Sequence, residues 1–174
     1  MPGMLIAGIG NPLKGDEGFG PEVAKLLKQS GTLPSGVKVV ELPAVDRNLV
    51  AELSAHPYDA LIVVDTVHRT AKPGTLYVLQ VKLPEVKSYS REELREISKD
   101  EFITEPSKAF RLAKALNVLP EKVYVVGCVP ETCCEETDLM GEGLSLPVRH
   151  AVQTAVEEIR KTLREVSHPT TFSI

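Results

Sequence analysis

The chain has 174 residues, a formal net charge of −4 at pH 7, 43% hydrophobic residues and 25% charged residues. This length suits one domain around one core, and this composition is that of a globular protein that folds in water. The acidic balance disfavours nucleic acid as a partner, because phosphate recognition depends on clustered Lys and Arg. We therefore expect a single domain over residues 1–174.

No stretch of the sequence is typical of a membrane span or a secretory leader. The N-terminal residues lack a basic leader and reach the turn-forming Gly8 and Gly10 early. No later apolar run has the length that a bilayer requires. We therefore predict a cytoplasmic protein without a membrane partner.

Apolar runs rich in β-branched residues predict five strands, over residues 4–9, 37–42, 60–65, 75–81 and 123–129. Three of these runs are continuously apolar, a pattern that favours strands covered on both faces in a mostly parallel sheet. Apolar residues at helical spacing predict four helices, over residues 21–29, 47–55, 106–116 and 146–166. This alternation predicts an α/β fold, a three-layer α/β/α sandwich with a twisted, mostly parallel sheet of about five strands.

Two segments interrupt the alternation. Residues 82–103 are rich in charge, and within them Ser90 and Glu93 have the spacing of a capping box that begins a short helix. We interpret residues 82–103 as an insertion or flap rather than a domain. Residues 167–174 show no periodicity, and we expect them to form a frayed tail.

The three cysteines, Cys128, Cys133 and Cys134, lie within one short segment. An odd and crowded set does not indicate a disulfide framework, and a zinc site would need a second pair of ligands. Cys128 ends an apolar run, so we expect a small buried hydrophobe there. Cys133 and Cys134 are predicted to lie in a surface loop without a base that would activate either thiol.

Residues 8–21 connect the first predicted strand to the first predicted helix and contain five glycines. In an open parallel sheet, ligands bind at such strand ends. Gly10 and Gly15 have the glycine spacing of a phosphate-binding P-loop, but Asp16 and Glu17 stand where that motif needs Lys followed by Ser or Thr. Two carboxylates would repel a phosphate, and they would attract a cation or a metal-bearing substrate.

Asp65 is predicted to bring a further carboxylate to the same place. It closes the apolar run over residues 61–64, and the carboxyl ends of parallel strands lie at one edge of a sheet. We therefore expect Glu17 and Asp65 to face one another. The alternative is purely structural: Asp16 or Glu17 caps the first helix, and Asp65 ends its strand in a turn.

Residues 8–11 (Gly-Ile-Gly-Asn) and 16–20 (Asp-Glu-Gly-Phe-Gly) resemble the opening signature of the hydrogenase maturation endopeptidases. The similarity continues through residues 61–65, 73–75 and 126–131, so it extends over most of the chain. The resemblance implies a parallel-type sheet between helices. It also implies that the chain removes a C-terminal peptide from its partner, the nickel-loaded large-subunit precursor of a [NiFe] hydrogenase.

In that family, the residues matching Glu17 and Asp65 contact metal together with a later histidine, which implies catalytic and metal-contacting roles for both. The nickel belongs to the substrate and is not permanently bound. This chain has no histidine just before the helix predicted over residues 106–116; Glu105 stands at about the expected position. His68, three residues after Asp65, is an alternative third ligand, since imidazole suits nickel. A purely structural role remains open for both residues: Glu105 also suits the first turn of a helix, and His68 also suits an exposed loop.

We hypothesise that Glu17 and Asp65 engage the precursor's nickel, and that a metal-polarised carbonyl or a carboxylate-assisted water completes hydrolysis. The missing histidine leaves open a second reading, a non-catalytic assembly or metal-sensing factor. A third reading is a peptidyl-tRNA hydrolase, whose opening motif residues 8–12 also resemble. That similarity ends at Asp16 and Glu17, because those enzymes continue with a histidine–asparagine pair.

Overall fold

The structure is a computed structural model that describes residues 3–43, 47–82, 90–93, 95, 106–131 and 143–167. The labelled elements are β1 Met4–Ile9, α1 Phe19–Gln29, β2 Val37–Leu42, α2 Arg47–Ala55, β3 Ala60–Thr66, β4 Leu76–Val81, α3 Pro106–Ala115, β5 Lys122–Cys128 and α4 Leu146–Ser167. A short 3-10 turn, Gly15–Gly18, precedes α1. All nine predicted strands and helices form, and their ends differ from the predicted ones by two residues at most.

The five strands form one sheet in the order β2-β1-β3-β5-β4. The first four strands are parallel, and β4 pairs antiparallel with β5 at the edge. The direction of β4 follows from its connection, because the chain returns from β3 through residues 67–75 without a crossover helix. The prediction of a mostly parallel sheet of about five strands is confirmed.

Helices cover both faces of this sheet. Alternate residues of β1 point to opposite faces: Ile6 packs in the core beneath α1 and α4, and Leu5 packs in the core beneath α2 and α3. Both side chains are fully buried. The strands are continuously apolar because both faces are covered, which confirms the three-layer α/β/α sandwich. Within the described ranges, no helix combines the length and apolar character needed to cross a membrane.

The start of α1 lies so close to the sheet that only glycine fits there. A Cβ atom on Gly20 would overlap the backbone carbonyl oxygens of Ile9 and Val64. A side chain at this position would push α1 away from the strands. Gly20 therefore places the turn before α1 over the ends of β1 and β3.

Part of the predicted insertion falls within the described residues. The Ser90 amide donates to Glu93 Oε2 at 2.7 Å, and the Glu93 amide donates to Ser90 Oγ at 3.2 Å. The predicted capping box is confirmed. The insertion over residues 82–103 and the tail over 167–174 lie largely outside the described residues and remain predictions, as does the single-domain organisation.

Candidate active site

Glu17 lies in the turn between β1 and α1, and the backbone of Gly10 packs against that turn. The φ angle of Gly10 is +136°, and a Cβ atom there would overlap the Glu17 carbonyl oxygen. The Gly10 amide also donates to the Leu42 carbonyl at 3.0 Å, which ties the loop to β2. The glycine-rich loop therefore fixes the backbone of Glu17 at the carboxyl edge of the sheet, where its side chain is half-buried.

Asp65 lies near the carboxyl end of β3, which contacts the turn that contains Glu17. Its Oδ1 accepts a hydrogen bond from the Thr66 amide at 2.7 Å. Burial, reinforced by the negative charge of Glu17 and opposed by the Thr66 hydrogen bond, raises the pKa of Asp65 to about 7. The structure thus brings together the two carboxylates that the sequence analysis selected.

Asp16 has a different environment from its neighbour Glu17. Its side chain is only 2% exposed and accepts three hydrogen bonds: Oδ1 from the Ser145 amide at 2.7 Å, and Oδ2 from the Glu131 amide at 2.8 Å and the Ser145 hydroxyl at 2.9 Å. The N-cap of α1 is Gly18, which has no side chain to donate or accept. The alternative that Asp16 caps α1 is therefore wrong, and Asp16 instead joins the turn to the start of α4.

The metal-contacting roles of Glu17, Asp65 and a third residue remain predictions. His68 lies after β3 and is exposed, and Glu105 lies outside the described residues. Among the residues that the structure describes, no group of three or more His, Cys, Asp and Glu side chains is arranged to hold a metal ion. The described part of the site is therefore the pair of Glu17 and Asp65.

Cys128 is fully buried at the end of β5, as expected for a small hydrophobe. Burial, with a smaller contribution from the negative charge of Asp16, raises the pKa of the Cys128 thiol to about 12. A thiol in this state is not a nucleophile at neutral pH. Cys133 and Cys134 lie outside the described residues.

A cleft of about 330 Å³ borders the turn that contains Glu17. It lies between the glycine-rich loop and the starts of α1 and α4, and is lined by Pro12, Gly15, Gly18, Glu22, Gly143, Leu144, Arg149 and Val152. Leu13 and Leu146 lie close in sequence to residues that line the cleft, and each is 62% exposed. The cleft is therefore an open, partly apolar groove beside the turn, and neither Glu17 nor Asp65 lines it.

The paired carboxylates allow two kinds of chemistry. A carboxyl group with a pKa near 7 both accepts and releases a proton at neutral pH, which suits a general base. Two adjacent carboxylates also provide hard oxygen ligands, and a bound cation relieves their mutual repulsion. The described site is thus suited to hydrolysis beside a cation.

This fold and site define an α/β protein with a pair of carboxyl groups at the carboxyl edge of its sheet. A model of the hydrogenase maturation protease family matches residues 21–162. The chain belongs to that family, as the sequence motifs predicted. It is accordingly a peptidase that acts in hydrogenase maturation.

Relatives with known names cover nearly the whole chain. The coenzyme F420 hydrogenase subunit delta of Methanothermobacter thermautotrophicus is 31% identical over 161 residues, which are 90% of this chain and 91% of that protein. The hydrogenase 2 maturation protease of Escherichia coli is 26% identical over 169 residues, covering 93% of this chain and 91% of the relative. The similarity therefore extends along about nine tenths of each protein.

Solved structures have the same fold. A hydrogenase 2 maturation peptidase from a Thaumarchaeota archaeon is 27% identical with a TM-score of 0.65, and the alignment covers 92% of this chain and 97% of that one. The hydrogenase maturating endopeptidase HybD from Escherichia coli is 25% identical, also with a TM-score of 0.65, over 94% and 93% of the two chains. The α/β architecture is thus that of maturation peptidases.

Proposed function

We propose that this chain removes a C-terminal peptide from the nickel-loaded large-subunit precursor of a [NiFe] hydrogenase. Family membership supports the reaction class. The observation that supports the place of reaction is the pairing of Glu17 with Asp65, whose pKa is raised to about 7. Perturbed carboxyl groups of this kind are concentrated at functional sites because a binding partner or a reaction requires them.

In this proposal, nickel is part of the substrate and reaches the site already held by the precursor. The carboxylates of Glu17 and Asp65 would contact it, with His68 or Glu105 as the third ligand. A cation between the two carboxylates would favour their ionised forms, so metal binding and proton release would be coupled. The site would therefore favour a precursor that has received its metal over one that has not.

Hydrolysis requires a water molecule to attack the scissile carbonyl carbon and lose a proton. Asp65 accepts hydrogen bonds from Thr66, and its two oxygens can still accept a water because a carboxylate has about four acceptor sites. In its ionised form Asp65 would take the proton from the water as the new carbon–oxygen bond forms. That proton would then pass to the leaving nitrogen when the carbon–nitrogen bond breaks, so no covalent enzyme intermediate is needed.

The groove beside Glu17 offers a path for the precursor's extended segment. The glycines of residues 8–20 allow a peptide backbone to approach closely, since they have no side chains in the way. The cleft lined by Leu144 and Arg149 continues this path towards α4. A segment lying there would run beside the turn that contains Glu17.

The reaction is expected in the cytoplasm, where neither a membrane nor a nucleic acid takes part. A competing function is a non-catalytic assembly or metal-sensing factor that keeps the precursor-binding surface. The family histidine missing before α3 is the feature that favours it. A protease would bind and cleave the precursor, whereas an assembly factor would bind the precursor and leave it intact.

The test is to incubate the purified protein with nickel-loaded precursor, separate the complex from free precursor by size exclusion, and determine the intact mass of the large subunit. The proposal predicts one shortened large subunit and one released C-terminal peptide. A precursor that binds but keeps its full mass would assign the assembly function instead. A precursor that neither binds nor loses mass would contradict both.

A further inference from the structure

Asp16 is a buried carboxylate for which the proposed reaction has no direct use. It cannot reach the substrate, since its side chain is almost fully enclosed. Each of its oxygens accepts at least one backbone amide, from Ser145 and from Glu131. These contacts join three segments: the turn before α1, the loop after β5, and the residue before α4.

The hydrogen bonds of Asp16 are of a strong kind. An ionised carboxylate that accepts backbone amides forms charge-assisted bonds, which are shorter and stronger than neutral ones. The distances of 2.7–2.9 Å agree with this. The carboxylate also lies at the positive end of α4, whose 22 residues align their peptide dipoles towards Ser145. These interactions therefore hold the Asp16 side chain in place.

Within the described residues, the backbone contacts of Glu17 are to its own loop. Its amide donates to the Lys14 carbonyl at 3.1 Å, and its carbonyl packs against Gly10. Adjacent residues in a 3-10 turn direct their side chains to different sides, so Asp16 is buried against α4 while Glu17 acts on Asp65. The bonds of Asp16 are thus the side-chain link that holds this turn to distant parts of the fold.

We propose that Asp16 is a positioning residue whose three hydrogen bonds hold the turn Gly15–Gly18 and thereby fix the Glu17 carboxylate opposite Asp65. This inference rests on the proposed function, in which Glu17 touches the substrate. The linked set of Asp16, Ser145 and the Glu131 amide is named the carboxylate clasp. A small displacement of Glu17 is expected to slow the reaction strongly, since misplacement by about 1 Å can cost about 100-fold in rate.

The variant Asp16→Asn tests the clasp with almost no change of shape. An asparagine has one oxygen and one amide nitrogen, so it can accept the Ser145 amide or the Glu131 amide but not both. In either orientation the NH₂ group of the asparagine faces one of these two backbone N–H groups. That N–H group then loses its hydrogen-bond acceptor. Ser145→Ala removes only the hydroxyl bond, and Ser145→Thr keeps a hydroxyl in place.

The experiment measures kcat and KM for cleavage of nickel-loaded precursor by wild type and these three variants, at a temperature where circular dichroism shows each one folded. Thr162→Val is the matched control, because Thr162 is also buried and hydrogen-bonded, to the Glu158 carbonyl, but lies at the far end of α4. We expect kcat to fall about 100-fold for Asp16→Asn and about 10-fold for Ser145→Ala, with KM unchanged. Ser145→Thr and Thr162→Val are expected to keep the wild-type kcat.

Amide hydrogen exchange of the Gly15–Gly18 turn tests the clasp without any substrate. Faster exchange at the Glu17 amide in Asp16→Asn than in Thr162→Val supports the inference, and equal exchange overturns it. A wild-type kcat in folded Asp16→Asn also overturns it, while the proposed function stands. If wild type leaves the precursor intact, the proposed function is contradicted. The exchange result then tests the carboxylate clasp independently of any activity.

Discussion

The negative charge of Glu17 raises the pKa of Asp65, so the two carboxyl groups act as a pair across the gap between the turn before α1 and the end of β3. Ionisation of Asp65 therefore depends on the charge of Glu17. Burial at the sheet edge is the larger influence, and the Thr66 amide limits its effect. A proton at Asp65 near neutral pH and an affinity for cations are two results of the same arrangement.

Titration of Asp65 should show this pairing directly. Carbon-13 NMR of labelled aspartate carboxyl groups is expected to give a midpoint of about 7 for Asp65. In Glu17→Gln the midpoint should fall, because the neutral amide no longer opposes ionisation of Asp65. Glu165→Gln, which changes an exposed residue near the end of α4, should leave the midpoint where it was. A wild-type midpoint near the ordinary value of 3.8 would contradict the pairing.

The same shift predicts how stability depends on pH. The pKa of Asp65 is about 7 in the folded chain and about 3.8 in an ordinary environment, so between these values the folded state binds more protons than the unfolded state. The contribution of Asp65 to the free energy of unfolding therefore falls as pH rises through this window. Asp65→Asn removes the ionisation and should make the protein more stable than wild type at pH 8, with a smaller difference at pH 5.

Urea unfolding at both pH values measures this difference. Asp59→Asn is the matched control, because Asp59 is exposed just before the same strand begins. It should show no comparable gain at pH 8. A gain in Asp65→Asn that is equal at pH 5 and pH 8 would mean that ionisation is not its cause.

Replacement of Gly10 should disturb both stability and the site. Gly10→Ala would place a methyl group against the Glu17 carbonyl at a φ angle of +136°, whereas Gly31→Ala meets nothing within 4 Å at a φ of +60°. We expect a loss of about 3 kcal/mol in the free energy of unfolding for Gly10→Ala and about 1 kcal/mol for Gly31→Ala. Thermal and urea unfolding of the two variants provide the comparison; equal losses would show that the loop does not pack on Glu17 as described.

Cys128 should be inert in the folded protein. Its complete burial and raised pKa of about 12 predict no reaction with iodoacetamide at pH 8, followed by full reaction in urea. Mass spectrometry of the peptide that contains residue 128 gives the extent of labelling. Cys128→Ala is expected to retain precursor cleavage, and its loss in a folded variant would revive a thiol mechanism.

Much of the fold can be predicted from the sequence because its signals are local. The continuously apolar run over residues 61–64 indicates a strand covered on both faces, and the structure places Leu61 and Ile62 in the opposite cores. The capping box of Ser90 and Glu93 is likewise a short-range pattern. The antiparallel direction of β4 was not predicted, because it is set by tertiary pairing with β5 and not by a local pattern.

The candidate site could be predicted only in part. Glu17 and Asp65 can be selected from the sequence because the parallel direction predicted for their strands and the family motifs both point to the same edge of the sheet. The role of Asp16 was missed, since its partners at positions 131 and 145 are joined to it by tertiary folding and by no local pattern. The sequence alone does not distinguish the adjacent acidic residues Asp16 and Glu17. In the structure, Asp16 is buried and Glu17 is half-buried.

The most direct test of the central claim compares nickel-loaded and nickel-free precursor after incubation with wild type, Glu17→Gln, Asp65→Asn and the control Asp59→Asn. Intact mass spectrometry of the large subunit is the measurement. We predict loss of one C-terminal peptide from the nickel-loaded precursor with wild type and Asp59→Asn, and from neither precursor with folded Glu17→Gln or Asp65→Asn. Equal cleavage of nickel-free precursor, or cleavage by both site variants at the wild-type rate, would contradict recognition of nickel by this carboxylate pair.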